Sequence, residues 1–556
     1  MSTKITINIK NAGTTTTVPK GTTLLELSKS YTHTKKWPIL VATVDNELQD
    51  LSRGLHYDAS VEFLDVSDPN GFRTYQRCVT FLMVYAIKTV LDKKARVVIN
   101  HSINKNYYCE LPDMPGSISD EQLAKIEAAM HQAVLDDLPI TKQTLPKEVA
   151  IKLLDEYGLE DKKQLLKYRH NLTVSLYKLD WFHNYFYGEM VPSTGRLGQF
   201  KLVRRSKGFM LQFPDASLGY EFAELAPSCK ISDVFEESSE WARIISADTV
   251  GALNDKLCQQ GNGTVIRIAE ALHEKKTALL ADRIVGEHRP IVLIAGPTSS
   301  GKTTFAARLS TQLRAAGAVP HVIGLDNYYH NRGDGRIPRD KYGNEDYETI
   351  KAIDTEQITK DMQALLRGEK VEIPNFNFLT GKREYKGRIL ILQPQDVLIL
   401  EGIHGLNEQI SEGVPPQEKF KIFISALTQI NVDDHNRIPT TDTRLVRRIV
   451  RDFQYRGTSA AETIDRWPSV LRGEAKYIYP YQEEADAFFN SALVYEMCVL
   501  KQYVEPLLFD ITQDKSQYTE ARRLIKFLSS FLSMPSENIP ENSILREFVG
   551  GSCFSH

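Results

Sequence analysis

The octapeptide Gly296-Pro297-Thr298-Ser299-Ser300-Gly301-Lys302-Thr303 has the spacing GxxxxGK[ST], between an apolar run, IVLIA, and the helix-like TTFAARLSTQLRAAG. Glycines at these places let the backbone curl until successive N–H groups face one phosphate. The helix that follows adds positive potential at the same point. Lys302 then offers a cation to the β- and γ-phosphates and Thr303 a hydroxyl to Mg2+, with Thr304 completing the ATP-binding set. The loop alone does not separate phosphoryl transfer from a GTP switch or an ATP motor, but the chain has no NKxD guanine motif. Asp326 ends the run HVIGLD, where its carboxylate can take the proton of an attacking hydroxyl or simply cap the next segment. Glu401 ends DVLILEG and can hold Mg2+ directly or through water. Arg444, Arg447 with Arg448, and Arg451 recur at helical spacing and form one basic face. Such a stripe repels itself unless anions lie against it. Either it is a movable lid clamping the transferring phosphates, with Arg456 just beyond, or it pairs with acidic neighbours.

These residues need a sheet to carry them. RPIVLIAG, HVIGLD, DVLILEG and FKIFISA are unbroken apolar runs, the mark of strands buried on both faces, and helical segments separate them. They indicate a doubly wound parallel sheet over residues 289–505, with the loop and both carboxylates at its carboxyl edge. Upstream, alternating Ile5, Ile7 and Ile9, a helix-like LLELSKSY and the strands VATVDNEL and VEFLDVSD suggest a β-grasp module over 1–66. Asp68-Pro69-Asn70-Gly71 reads as its exit turn. Residues 70–225 mix a helix from Thr74, an acidic helix capped by Ser119 or Asp120, and two strand clusters, and they read as one α/β domain. Residues 226–288 read as a helical connector packed against its neighbours. Residues 506–556 form a helical, proline-punctuated tail with no assigned chemistry. The fold class expected is a multidomain α/β chain.

Composition agrees. At ~100–200 residues per domain, 556 residues imply about three to five domains. A chain 42% hydrophobic and 25% charged is not mostly disordered, and a net charge of −3 gives no global field for nucleic acid. The six cysteines (Cys78, Cys109, Cys229, Cys258, Cys498, Cys553) form no CxxC pair and suit a reducing cytoplasm. The start lacks an apolar signal core, and no stretch nears the ~20 apolar residues of a membrane span. A soluble cytoplasmic protein with no DNA or membrane partner is expected. Self-association stays open.

GPTSSGKTT, LDNYY, EIPNFNF, LILEGI and DTRLVRRIVRD, in this order, resemble the uridine kinase and phosphoribulokinase family over about 289–500. The resemblance implies an ATP- and Mg2+-dependent kinase acting on a sugar hydroxyl, a nucleoside 5′-hydroxyl in the first instance. By it, Asp326 is the base and Lys302, Arg444 and Arg448 act with it. Residues 296–304 with Arg447 and Arg451 bind ATP, and Thr303 and Glu401 hold Mg2+. Tyr328, Tyr329, Glu348, Phe376, Arg383 and Arg456 fall where the acceptor binds. Two departures concern that acceptor. The tyrosine and histidine that read a pyrimidine in a YDFxxHxR hairpin are Phe376 and Gly381 here. The ribose-binding stretch survives only loosely in Asp346–Asp354, and an additional segment, NVDDHNRIPTTD, precedes the arginine helix.

Residues 1–66 resemble the TGS domain. Residues 70–225 resemble the second additional domain of threonyl-tRNA synthetase, above all in VSLYKLDWFHNYFYGEMVPSTGRLGQFKLVRRSKG. That resemblance would bring an editing site built from HxxxH and a Cys/His pair. The corresponding places hold Phe81, Tyr85, Phe186 and Met190, so no editing chemistry is expected. Lys201, Arg204, Arg205 and Lys207 beside aromatic WFHNYFYG suggest weak RNA contact, though such aromatics can equally be core. The alternative to a metabolic kinase is therefore an RNA- or tRNA-associated P-loop NTPase switch with a regulatory N-terminal half.

Overall fold

The computed structural model describes residues 4–103, 105–215, 218–225, 230–339, 343 and 345–554. Cys229 and the boundary expected at 225/226 lie outside the described residues. Strands β1 (Lys4–Ile9), β2 (Thr14–Pro19), helix α1 (Leu24–Ser28), β3 (Val41–Val44), β4 (Glu47–Gln49) and β5 (Ala59–Leu64) form a mixed sheet in the order β2-β1-β5-β3-β4. VATVDNEL, read as one strand, is a hairpin. Asp45 and Asn46 both take positive φ, the conformation of a tight two-residue turn.

Helix α2 (Pro69–Val90) begins earlier than the expected Thr74. Asp68-Pro69-Asn70-Gly71 is its first turn and not a linker: the Asp68 carboxylate accepts from the N–H of Asn70 at 2.7 Å, and Pro69 occupies a position that lacks an intrahelical donor anyway. Gly71 is needed because a Cβ would lie 1.9 Å from the Asp65 carbonyl oxygen. After it come β6 (Val98–Ile103), β7 (Asn106–Glu110), α3 (Asp120–Leu135), β8 (Ile140–Pro146), α4 (Lys147–Glu156), α5 (Glu160–Lys167), β9 (Thr173–Leu179), β10 (Phe182–Asn184), β11 (Lys201–Arg205) and β12 (Gly208–Gln212). They make two antiparallel sheets, β10-β9-β8 and β11-β12-β7-β6. Ser119 caps α3 through a reciprocal box with Gln122.

Helices α6 (Lys230–Ile245), α7 (Val250–Gln260) and α8 (Asn262–Gly286) lead into β13 (Ile291–Ala295), α9 (Lys302–Ala315) and β14 (Val319–Gly324). The acids of α8 grip α9: Arg308 reaches Glu274 at 2.6 Å and Glu270 at 3.4 Å. Then follow α10 (Thr355–Leu366), the short strands β15 (Val371–Glu372), β16 (Asn375–Asn377), β17 (Lys382–Glu384) and β18 (Ile389–Leu390), then β19 (Asp396–Glu401) and β20 (Lys419–Ser425). The chain ends with α11 (Thr440–Arg456), α12 (Ala460–Tyr477), β21 (Ala487–Asn490), α13 (Glu496–Phe509), α14 (Tyr518–Leu528) and α15 (Arg546–Val549). The main sheet is all parallel in the order β14-β19-β13-β20-β21, one strand more than the four apolar runs.

One apolar core runs from α2 through the connector helices into a face of this sheet, joining Val79, Leu166, Ile266, Val292, Phe305 and Val446. The extra segment before α11 is the plug that makes this continuity. Lys162 and Asp433 form a fully buried ion pair across the two halves. Arg96 binds Asp434 at 2.7 Å, Asn184 donates to His435 at 3.1 Å, and Asn431 donates to the Ile99 carbonyl at 2.7 Å. Among the described residues no helix is long and apolar enough to cross a membrane.

Candidate active site

Register sets the site. Ile294 of β13 and Gly324 of β14 both lie opposite Glu401 of β19. The loop 296–301 therefore begins two residues beyond Ile294 at the edge where Glu401 ends its strand, and Asp326 stands two residues beyond Gly324 at that same edge. Gly296 is required there because a Cβ would sit 2.0 Å from the Ile424 carbonyl oxygen of the neighbouring strand. Ser299 (φ 58°) and Gly301 (φ 83°) turn the backbone inward. A non-glycine residue held in that conformation costs about 1–3 kcal/mol and is typical of ligand clamps. The hydroxyls of Ser299 and Ser300 are buried with no hydrogen-bond partner, and the Lys302 ammonium curls back on the carbonyls of Gly296 (3.1 Å) and Pro297 (3.2 Å). These are groups awaiting an anion.

Thr303 donates to Glu401 at 3.3 Å. Burial holds Lys302 below its usual pKa, and Glu401, Asp326 and Glu547 pull it back up. Glu401 is pushed to about 7, first by burial, then by Asp326 and Glu547, with Lys302 and the Thr303 hydroxyl opposing. Asp326 opens to solvent, yet the cleft walls raise its pKa, with Lys302, Tyr329 and Arg456 opposing. Three carboxylates thus face one lysine, an imbalance that a divalent cation corrects. Thr303 and Glu401 are hard oxygen donors suited to Mg2+. No cluster of three or more His, Cys, Asp or Glu side chains able to hold a metal occurs among the described residues.

The arginine helix divides in two, and this corrects the reading of it as a movable lid. Arg444 and Arg447 are fully buried. Arg444 pairs with buried Glu474 and donates to the Thr298 carbonyl at 3.0 Å. Arg447 pairs with Glu496 and donates to the Ser299 carbonyl at 3.3 Å. Both guanidiniums brace the outer backbone of the phosphate loop and do not face the cleft. Arg448, Arg451 and Arg456 share Asp452 at 3.1, 3.0 and 3.4 Å, and Arg448 also reaches the Thr298 hydroxyl at 3.4 Å. These three flank the cleft. Neither Glu474 nor Glu496 was legible as a partner, although an acid alone in apolar ALVYEMCVL is the kind of residue that is buried only when paired.

The acceptor side also differs from expectation. Tyr328 is a core residue that donates to Asp361 at 3.0 Å. Arg383 is tied to Asp354 at 2.9 Å. Tyr329 stays beside Asp326 and meets Phe376 edge-on at 5.6 Å, while Phe376 itself is buried. Gly381 takes φ 67°, and a Cβ there would strike the Arg332 side chain at 2.6 Å. Glu348 remains at the cleft: burial raises its pKa, Arg448 and Lys302 lower it, and Glu474 and Asp346 raise it further. Two residues were missed. His404 is buried, its imidazole pushed down to about 4 by that burial with the Glu348 backbone opposing. Glu547, from the tail assigned no chemistry, accepts from Thr304 at 2.8 Å while Ile544 packs on Gly301.

In the N-terminal half, Phe81, Phe186 and Met190 are packed together in the core, with the two rings 5.4 Å apart, and Tyr85 donates to Asp180 at 3.0 Å. Phe182, Tyr185 and Phe186 of the aromatic run are buried. Most of the run is therefore core, while Trp181 and Tyr187 stay half-buried.

Residues 291–496 match the model of the phosphoribulokinase / uridine kinase family. A uridine kinase of Halobacterium salinarum is 29% identical over 195 residues, 35% of this chain and 76% of that protein. Uridine kinase-like protein 3 of Arabidopsis thaliana is 32% identical over 206 residues, 36% and 39% of the two chains. A threonine–tRNA ligase of Symbiobacterium thermophilum is 32% identical over 187 residues, 33% of this chain and 28% of the ligase. The chain thus spans well under half the length of the last two. Residues 291–496 are a P-loop kinase domain of the phosphoribulokinase / uridine kinase family, joined to an N-terminal region that matches threonine–tRNA ligases.

Proposed function

We propose that this domain moves the γ-phosphate of ATP to a sugar hydroxyl, with a nucleoside 5′-hydroxyl as the first candidate. The observation that carries the reading is the meeting of an anion cradle (Ser299, Ser300, Lys302), a cation-binding pair (Thr303, Glu401) and a carboxylate (Asp326) at the carboxyl edge of three adjacent parallel strands. The loop and Lys302 bind and orient the triphosphate, while Arg448 and Arg451 add positive charge at the cleft mouth. Asp326 accepts the acceptor's proton, and its raised pKa makes it a better base than an ordinary surface aspartate. Mg2+, when held by Thr303 and Glu401, supplies charge neutralisation of the phosphate oxygens. The acceptor lies among Asp326, Tyr329, Glu348 and Arg456. Its base goes unread by hydrogen bonds from positions 376 and 381, so strict pyrimidine discrimination is not expected.

The test is transfer from labelled ATP to a panel of nucleosides and sugars, with wild type against Asp326→Asn. Acceptor-dependent transfer should fall by ~10²–10⁴-fold in the variant. Equal transfer in both proteins, or hydrolysis stimulated only by RNA, would overturn the assignment.

A further inference from the structure

A cavity of about 430 Å3 lies far along the chain from the phosphate loop, where β4, the first turns of α2, the segment 187–189 and α14 come together. Five basic side chains line it: Arg73, Arg77, Arg522, Arg523 and Lys526. The acids on its wall are Glu47 and Glu189. Two of the five cations are compensated. Arg73 binds Glu520 at 2.9 Å, and Arg523 binds Glu520 at 2.6 Å and Asp442 at 2.6 and 2.8 Å. The others are not. Arg77 donates only to the Glu189 carbonyl, Arg522 lies over the Tyr518 ring, and Lys526 makes no ion pair among the described residues. Glu189 is itself taken by Lys142 at 3.0 Å. The Lys526 side chain is exposed at the open side of the cavity, yet desolvation by the cavity walls, with the neighbouring Lys142, Arg77 and Arg169, pushes it down to about 8 despite Glu189. Gly188 leaves room for the Arg77 guanidinium, which a Cβ there would meet at 2.1 Å.

We propose that this cavity binds a small molecule through a phosphate group and that its occupancy is felt at the phosphate loop. Five cations converging on a wall that carries two acids, three of them in no ion pair among the described residues, is an arrangement a dianion stabilises, and arginine forks match phosphate oxygens two at a time. Leu48, Tyr187 and Ile525 give one apolar wall, and the volume falls within the ~300–1,000 Å3 of small-molecule sites. A phosphorylated metabolite of up to about mononucleotide size fits both features.

The coupling route is short. Arg523 lines the cavity and grips Asp442 in the first turn of α11. Two and five residues further on, Arg444 and Arg447 hold the carbonyls of Thr298 and Ser299. An anion that draws Arg523 or Arg73 away from Glu520 and Asp442 loosens the anchor of the helix that braces the loop. Coupling of this kind is reciprocal in the two binding affinities.

Binding is tested on the full chain by calorimetry with inorganic phosphate and, separately, uridine monophosphate. Lys302→Ala is used as background so that the loop's own affinity for phosphate is removed. The probe should bind the Lys302→Ala protein, and adding Lys526→Glu should weaken it at least tenfold. Lys526 is solvent-facing, so the variant should keep its melting temperature; Arg77→Met serves as a second, charge-removing variant. Tighter binding of the nucleotide identifies a phosphorylated metabolite, and equal binding identifies free phosphate as the source. In the otherwise wild-type chain, the probe should change ATP affinity several-fold, and Lys526→Glu alone should abolish that change while leaving ATP affinity itself intact. Probe binding that is lost with Lys302→Ala alone, or unaffected by both cavity variants, overturns the proposal. Neither readout requires phosphoryl transfer, so the proposal stands or falls apart from the acceptor assignment.

Discussion

Two places in this chain correspond, by resemblance, to catalytic pockets, and the fold treats them in opposite ways. At the phosphate loop, polar groups are held apart from partners: two buried hydroxyls without hydrogen bonds, a lysine satisfied only by backbone carbonyls, and three carboxylates around it. At the four positions that correspond to an editing pocket, Phe81, Tyr85, Phe186 and Met190, no side chain is left with an unpartnered polar atom. Phe81, Phe182 and Phe186 pack ring against ring, Met190 lies against Cys78 at 3.7 Å, and the two lysines over these rings are taken, Lys162 by Asp433 and Lys88 by the carbonyls of Lys93, Ala95 and Tyr157. An unsatisfied buried polar group costs about 1–3 kcal/mol, so the two bare hydroxyls of the loop are groups that a bound anion would complete. The two places thus differ in how far their polar groups are satisfied.

The sharpest way to break this comparison is to separate the groups that touch phosphate from those that shape the loop. Lys302→Ala removes an ammonium bonded only to loop carbonyls, so transfer should fall at least ~10²–10³-fold with the melting temperature nearly unchanged. Arg447→Met should do the reverse in kind. It strands Glu496 in the core, which costs about 3–5 kcal/mol of stability, and the weakened ATP binding should follow from the slackened loop. Adding Glu496→Leu should restore most of the stability but not the ATP affinity. Thermal melts and ATP titrations on the three proteins check this. Equal melting temperatures for Lys302→Ala and Arg447→Met would mean that the division of the arginine helix is wrong.

What could be read in advance follows from distance along the chain. The phosphate loop is legible because glycines, lysine and threonine lie within eight residues and adjoin an apolar strand. The same holds for Asp326 and Glu401, which end apolar runs. The arginine stripe shows its cations but not the acids that claim two of them, since Glu474 and Glu496 lie 30 and 49 residues downstream of their partners. The segment 431–442 stands out as an insertion, yet its destination cannot be read, because Lys162 is 271 residues away from Asp433. Strand β21 escapes because four residues, AFFN, are too short for a period. Asp68-Pro69-Asn70-Gly71 carries the same residue types whether it ends a module or caps a helix, and only the Asp68 carboxylate meeting the Asn70 N–H decides.

The second contrast concerns how tightly the N-terminal half is joined to the kinase domain. A buried ion pair is costly to break and cheap to replace. Lys162→Met and Asp433→Leu should each destabilise by about 3–5 kcal/mol, whereas the double variant should come close to wild type. Because Asp433 precedes α11 by only seven residues, each single variant should also lower ATP affinity. Destabilisation without any change at the loop would show that the seam holds the halves together but carries no signal to the cradle.

The smallest effect expected sharpens the account of the cradle itself. Glu547 comes from the carboxyl-terminal tail, accepts from Thr304 at 2.8 Å, and is one of three carboxylates acting on Lys302. A negative charge there opposes a triphosphate, while the amide of Glu547→Gln keeps an acceptor for Thr304 and removes the charge. In a cleft open to water, with an effective dielectric of ~80 and separations of roughly 4–8 Å, the gain is about 0.5–1 kcal/mol, or roughly two- to fivefold in ATP affinity. The gain should shrink when Mg2+ is saturating, because the cation already offsets the same charge. If Glu547→Gln weakens ATP binding instead, the tail acts at the loop as a brace for Thr304, and its carboxylate belongs with Glu474 and Glu496 among the groups that hold the loop's shape.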